Sequence, residues 1–210
     1  MEFRAQLLRE AFPAKAAVRY KKLARIVTTF PQTGGQSEEP AISYARRFHP
    51  VLKRIDDQRR FILYEQGWAA WRAPRGYVEN VAAALALCVV NERASGRIYN
   101  VAESPAYSEL EWALKIAVAT GWTGEFVVLP DEGTPKHLKP PGNTAQHWEL
   151  DSTRIRRELG YHEIISLDEA IRRTIGWERA NPPGEINPHP FDYAAEDAAI
   201  ASQLDRAAPQ

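Results

Sequence analysis

Arg75-Gly-Tyr-Val-Glu-Asn-Val-Ala-Ala-Ala-Leu-Ala-Leu-Cys-Val-Val90, followed shortly by Gly96-Arg-Ile-Tyr-Asn-Val101, decides the reading of the fold. Pro74 and Gly76 punctuate the entry to a helix over Val78 to Asn91. That helix is apolar almost all round its circumference, which predicts burial on most of its sides and a central place in the core. Gly96 to Val101 then predicts a strand.

Working outward toward the N-terminus, Arg60-Phe-Ile-Leu-Tyr64 predicts another strand. Tyr44 to Asp57 forms an amphipathic helix interrupted near Pro50. Further back lie two short helical patterns, Phe3 to Ala11 and Ala14 to Ile26, and a loop from Phe30 to Pro40 that is rich in turn residues.

Toward the C-terminus, Ser108 with Glu111 makes a capping box, its side chains meeting amide donors left free at a helix start. That helix runs to Thr120 and stops at Gly121. Glu125-Phe-Val-Val-Leu-Pro130 is a strand, and Asp131 to Gln146, with three prolines, a long irregular loop. Asp151 caps a helix through Leu159 that Gly160 closes in a left-handed turn. Ser166 with Glu169 predicts a second capping box, opening a helix whose Leu167, Ile171, Thr174 and Ile175 share one face and which Asn181-Pro-Pro183 ends. Strands alternating with helices of this length argue for an α/β architecture with some parallel pairing. The tail over 184–210 carries a weakly apolar helical pattern from Tyr193 to Leu204 and reads as peripheral.

At 210 residues and 44% apolar content the chain can bury one substantial core. Its formal charge of zero hides an asymmetry: residues 1–60 hold 13 Lys/Arg against 6 Asp/Glu, the remainder 14 against 21. The basic residues are scattered without a binding motif, so nucleic acid is not an expected partner. Cys88, the single cysteine, sits in an apolar run and excludes a disulfide within the chain. Met1 to Glu10 is charged throughout, unlike a signal peptide, and no stretch approaches the ~20 apolar residues of a membrane span. The expectation is a cytoplasmic protein that does not enter a membrane.

Arg75-Gly-Tyr-Val-Glu-Asn-Val-Ala-Ala-Ala84, Gly96-Arg-Ile-Tyr-Asn-Val101, Leu150-Asp-Ser-Thr-Arg-Ile155 with Leu159-Gly-Tyr161, and Leu167-Asp-Glu-Ala-Ile-Arg-Arg-Thr-Ile-Gly-Trp177 occur in this order. In order and spacing they resemble the C-terminal half of the NAD-dependent epimerase/dehydratases, the extended short-chain dehydrogenase/reductases, over roughly residues 45–183. The resemblance implies a partial Rossmann-like fold, its C-terminal half with few strands and several helices. It also implies a substrate, often a nucleotide sugar, held by the region 46–183 while NAD(P) binds an N-terminal sheet. A basic residue that touches substrate phosphate carries over to Arg72 or Arg75, and Tyr77 joins them as a candidate substrate contact. Arginine's rigid donor fork suits a diphosphate. The chain departs from the family at Asn80, where aspartate is usual.

Two further departures concern chemistry. A dinucleotide cradle needs closely spaced glycines at a helix N-terminus, and the 12 glycines here form neither Gly-x-x-Gly-x-x-Gly nor Gly-x-Gly-x-x-Gly. The family's acid/base tyrosine needs a lysine four residues on; Tyr20, Tyr44 and Tyr77 are followed at that spacing by Ala24, Phe48 and Val81. Val18 with Lys22, and Phe30-Pro-Gln-Thr-Gly-Gly35, resemble worn versions of that helix and of the loop beside the nicotinamide. Residues 1–45 therefore read as a degraded remnant of the end of a Rossmann domain, from a truncated frame or a surviving remnant. No cofactor is expected to bind this chain tightly, and no catalytic residue is assigned. The alternative is a non-enzymatic interaction or regulatory module, with a homodimer or another chain as partner. The five histidines lack metal-ligand spacing, and no nucleophile elbow or P-loop occurs. Trp68, Trp71, Trp122 and Trp148 are candidates for stacking on a sugar or base ring, against the alternative that they only pack.

Overall fold

A computed structural model describes residues 25–27, 46–140, 142–184 and 189–207. The helical patterns of residues 3–24, the Phe30 to Pro40 loop and the Val18/Lys22 pair lie outside them. Four short strands and seven helices are described: β1 (Arg25–Val27), α1 (His49–Asp56), β2 (Phe61–Glu65), α2 (Gln66–Ala70), α3 (Val78–Val90), β3 (Ile98–Asn100), α4 (Glu109–Thr120), β4 (Glu125–Leu129), α5 (Thr153–Leu159), α6 (Leu167–Ala180) and α7 (Tyr193–Ala207). They fall into two units. One is built from β1, Arg75–Ser104 and Leu150–Ile165, the other from the described parts of Pro31–Pro74, Pro105–Glu149 and Ser166–Gln210.

In the first unit β1 pairs in parallel with β3, Ile26 opposite Tyr99. Ile26 is therefore in a strand, not at the end of a helix. Val81, Ala84 and Cys88 of α3 pack with Tyr99, Val101, Ile155, Leu159 and Tyr161. The spacing of the three α3 residues confines burial to one stripe. Leu85, Val89 and Val90 are 42%, 50% and 61% exposed, so α3 is not the surrounded core helix its composition suggests. An apolar circumference says which faces a helix can bury; the number of neighbours says how many it does.

Asn80 is 1% exposed. Its Nδ2 donates to the Ile165 carbonyl and its Oδ1 accepts from the Ile165 N–H, both at 2.9 Å. The amide thus copies a backbone strand partner and holds the chain after α5 against the start of α3. An aspartate has no donor for that carbonyl. Ser152 makes a similar exchange with Ala102, its hydroxyl donating to the carbonyl at 2.9 Å and accepting from the N–H at 3.3 Å. The α5 helix is introduced by Asp151, whose Oδ1 accepts from Thr153 N–H at 2.8 Å, and closed by Gly160 at φ 72°.

In the second unit β2 and β4 pair in parallel, Phe61 opposite Glu125 through Glu65 opposite Leu129. Side chains alternate across β2. Ile62 and Tyr64 join Val51, Leu52 and Ile55 of α1, Trp112 and Ile116 of α4, and Ile171 and Ile175 of α6. Leu63 joins Leu129 and Ile200 of α7, with Phe61 packed alongside. Pro50 lies in the first turn of α1 rather than interrupting it, where its missing N–H costs nothing. The capping box of α4 is complete: Ser108 N–H donates to Glu111 at 2.6 Å, Glu111 N–H to Ser108 Oγ at 3.2 Å, and Gly121 closes the helix at φ 71°. Ser166 accepts from Glu169 N–H at 3.4 Å at the start of α6, while the Glu169 carboxylate pairs with Arg172 and Arg173.

The 184–210 segment contains α7, which buries Ile200 and Glu196. Glu196 is 0% exposed and Arg54, its partner at 2.5 Å, 3%. Arg54 also donates to the carbonyls of Pro50 and Pro190, and His137 Nε2 lies 3.1 Å from Glu196.

Two substitutions test these buried polar contacts. Asn80→Asp is expected to destabilise the first unit by about 2–4 kcal/mol, since a buried carboxylate would face a carbonyl oxygen. Glu196→Ala is expected to cost about 3–5 kcal/mol by leaving Arg54 buried and uncompensated. Urea unfolding of each variant against the parent checks both.

Candidate functional site

In the second unit the turn after β2 gathers aromatic residues. Glu65, 7% exposed, accepts from the N–H groups of Gly67 and Trp68 at 2.7 Å each and so caps α2. Trp68 on this single-turn helix and Trp71 directly after it stack their rings, centroids 5.0 Å apart and planes 14° apart. Trp71 Nε1 donates to the Gln146 carbonyl at 2.9 Å, tying down the end of the irregular loop. A Cβ on Gly67 would collide with Thr144 Oγ1, so a glycine is what lets that loop approach.

The loop is then stitched to Arg72. Trp148 N–H donates to the Arg72 carbonyl at 2.9 Å, and Arg72 N–H donates to His147 Nδ1 at 3.3 Å. The Trp148 ring stands edge-on to Trp71, centroids 5.7 Å apart, yet is 60% exposed. The Arg72 guanidinium donates to the Ala106 carbonyl and pairs with Glu111 at 2.9 Å, keeping 33% of its side chain in solvent. The Glu111 carboxyl is held below the ordinary carboxylate range chiefly by the Ser108 N–H, with Arg72 adding to it. The result is an open indole face on a rigid aromatic base, bonded through its backbone to a residue whose guanidinium is itself held in place. Such a face can stack on a planar or sugar ring, and the guanidinium can meet an anionic group.

Arg75 and Tyr77 lie in the other unit, at the entrance of α3, so the three sequence-nominated residues are not all in one unit. Arg75 is 6% exposed and its carbonyl accepts from Glu103 N–H at 2.7 Å. Tyr77 donates through its hydroxyl to Glu79 at 3.0 Å. Beside them stands a group that no sequence motif flagged: the Glu103 carboxyl, pushed above its ordinary value first by burial and then by the Glu163 charge. The Tyr77 backbone N–H and the Asn80 side chain oppose that shift. Glu163 itself is pulled down by its bond to Arg156, whose guanidinium also lies over the Tyr161 ring, 5.3 Å from the centroid. Only the position of Glu103, directly after the buried pair Val101-Ala102, hinted at its burial. Among the described residues no group of three His, Cys, Asp or Glu is placed to hold a metal ion. No helix there is long and apolar enough to cross a membrane.

No protein-family model matches the chain, and a search of curated proteins finds no match. Solved structures do share its fold. A UDP-glucose 4-epimerase matches over 78% of this chain and 49% of its own at a TM-score of 0.51 and 15% identity. The dTDP-glucose 4,6-dehydratase of Bacillus anthracis, in complex with NAD, matches over 74% and 45% at 0.51 and 14%. The UDP-glucose 4-epimerase of Thermus thermophilus, also with NAD, matches over 88% and 52% at 0.50 and 17%. The chain thus has, in part, the Rossmann-like fold of the extended short-chain dehydrogenase/reductases. More narrowly, the fold is shared with NAD-dependent epimerases and dehydratases, and the chain spans about half the length of these structures.

The raised Glu103 has a signed consequence. The folded state holds its proton more tightly than the unfolded chain, so stability falls as pH rises from the ordinary value of 4.5 through the raised one. Glu103→Gln removes that cost. The variant is expected to melt higher than the parent at pH 7, with the gap closing as pH falls to about 4; thermal melts across this range check it.

Proposed function

We propose that the chain is the substrate-gripping portion of an epimerase/dehydratase-type protein, cytoplasmic, taking a nucleotide-sugar-type ligand. The reading rests on the fold together with one observation: the exposed Trp148 indole is braced by Trp71 and tied through its own backbone to Arg72. In this reading Trp148 stacks on a ring of the ligand and Arg72 meets its phosphate. Arg75 and Tyr77, in the first unit, are proposed separately as substrate contacts of that unit, each to be tested by its own alanine variant. NAD(P) serves the parent family, and this chain lacks both the glycine-spaced cradle and the Tyr/Lys pair that hydride and proton transfer there require. Alone, it grips without turning over.

Tryptophan fluorescence titration of the purified chain with UDP-glucose and dTDP-glucose tests the site. Binding is expected to quench emission, and Trp148→Ala to weaken it about tenfold, with Arg72→Ala weakening it also. NAD and NADP are expected to show neither tight binding nor turnover. Micromolar affinity for either cofactor with conversion of a nucleotide sugar would end the claim of inactivity, and an unchanged affinity in Trp148→Ala would end the assignment of the site.

A further inference from the structure

Three consecutive residues of the irregular loop tie it to the segment after α2. The Gln146 carbonyl accepts from Trp71 Nε1 at 2.9 Å, His147 Nδ1 accepts from Arg72 N–H at 3.3 Å, and Trp148 N–H donates to the Arg72 carbonyl at 2.9 Å. On its other side the same segment bridges Ser108 in antiparallel fashion, and the Trp71 carbonyl accepts from Glu109 N–H at 3.0 Å. Arg72 is thus the middle of a short three-ply edge whose outer ply is the loop. In a ladder made of backbone alone the Arg72 N–H would meet a carbonyl. Here an imidazole takes the carbonyl's place.

The exchange matters because a carbonyl accepts at any pH, whereas an imidazole nitrogen accepts only while it carries no proton. With Nδ1 as the acceptor, the single proton of neutral His147 sits on Nε2. A second proton has only Nδ1 to go to, and there it would set two N–H donors against each other across the 3.3 Å contact. Histidine changes charge between about pH 5 and 8; the groups in the other two loop bonds do not. The neighbouring charges leave this conflict in place. The Arg72 guanidinium has the same sign as an imidazolium, and the Glu111 carboxylate is engaged by Arg72 and the Ser108 N–H. Glu65 is spent on the N–H groups of Gly67 and Trp68, and Glu149, on the loop itself, is exposed. His147 is exposed as well, so a proton reaches it without unfolding.

We propose that His147 is a positioning residue of the ligand site and a proton-operated latch on the loop that carries Trp148. Unprotonated, it holds the outer ply on Arg72 and the Trp148 indole against Trp71. Protonated, it releases that edge, and the preoriented ring is lost. The consequence for a ligand rests on the reading of Trp148 and Arg72 as ligand-binding; the latch itself does not.

Nuclear magnetic resonance of the ligand-free chain tests the latch. The order parameter of the Trp148 backbone amide is expected to be that of rigid backbone, about 0.85, near pH 7.5 and to fall below about 0.6 near pH 5.5. His147→Asn places an amide oxygen where Nδ1 stands and does not titrate, so its loop is expected to stay rigid at both pH values. His147→Ala, with no acceptor, is expected to be mobile at both. Titration with UDP-glucose, whose diphosphate keeps its charge over this range, is expected to give about fivefold weaker binding by the parent near pH 5.5 than near pH 7.5, and no such loss in His147→Asn. A Trp148 amide equally rigid at both pH values in the parent, or a His147→Asn chain that loosens in acid as the parent does, overturns the proposal. A loop that loosens as expected in a chain that binds no UDP-glucose supports the latch and overturns the ligand reading alone.

Discussion

In the second unit, everything is arranged around a strand that must be covered on both faces. Parallel strands pair through slanted bonds and cannot be joined by a tight turn, so the chain has to leave after β2 and come back to form β4. Both β2 faces are apolar, and each needs its own layer. Ile62 and Tyr64 are covered by α1, α4 and α6, while Phe61 and Leu63 are met by residues from β4, the irregular loop and α7. Remove the pairing of β2 with β4 and neither layer has a surface to rest on.

Buried polar groups in this protein act as substitutes for backbone. Asn80 meets both backbone groups of Ile165, and Ser152 both of Ala102. A side chain with one donor and one acceptor can close a segment that no strand reaches, and a buried backbone group without such a partner is costly. The Arg54 and Glu196 pair is a different case, in which two opposite charges are buried together and the arginine spends its remaining donors on carbonyls. Its energetic role is to forbid alternatives: either charge alone in that place is far worse than both.

The proposed ligand site follows from local geometry compounded by one long-range contact. One helical turn and the residue after it bring two indoles into register, and a loop some 75 residues later in sequence supplies the third ring and bonds to the Arg72 backbone. Rigidity is the useful property here, because a ring that is already oriented loses little freedom when it stacks on a ligand.

The sequence by itself determined the pieces whose cause lies within a few residues. The capping box of Ser108 and Glu111, the stop at Gly121, the left-handed stop at Gly160, the strand around Ile62 and the buried face of α6 were all legible, because caps and periodicity are local interactions. It also supplied the order of motifs that pointed to the fold, and it nominated Trp148 and Arg72. Only the tertiary structure decided how many faces α3 covers, since composition reports a helix's capacity for burial and not its neighbours. It alone set Arg72 apart from Arg75 and Tyr77, and lodged Glu103 where burial shifts its proton affinity. It likewise matched Glu196 to an arginine 142 residues away, a pairing that leaves no trace in a hydrophobic pattern because it is made by charge across the fold.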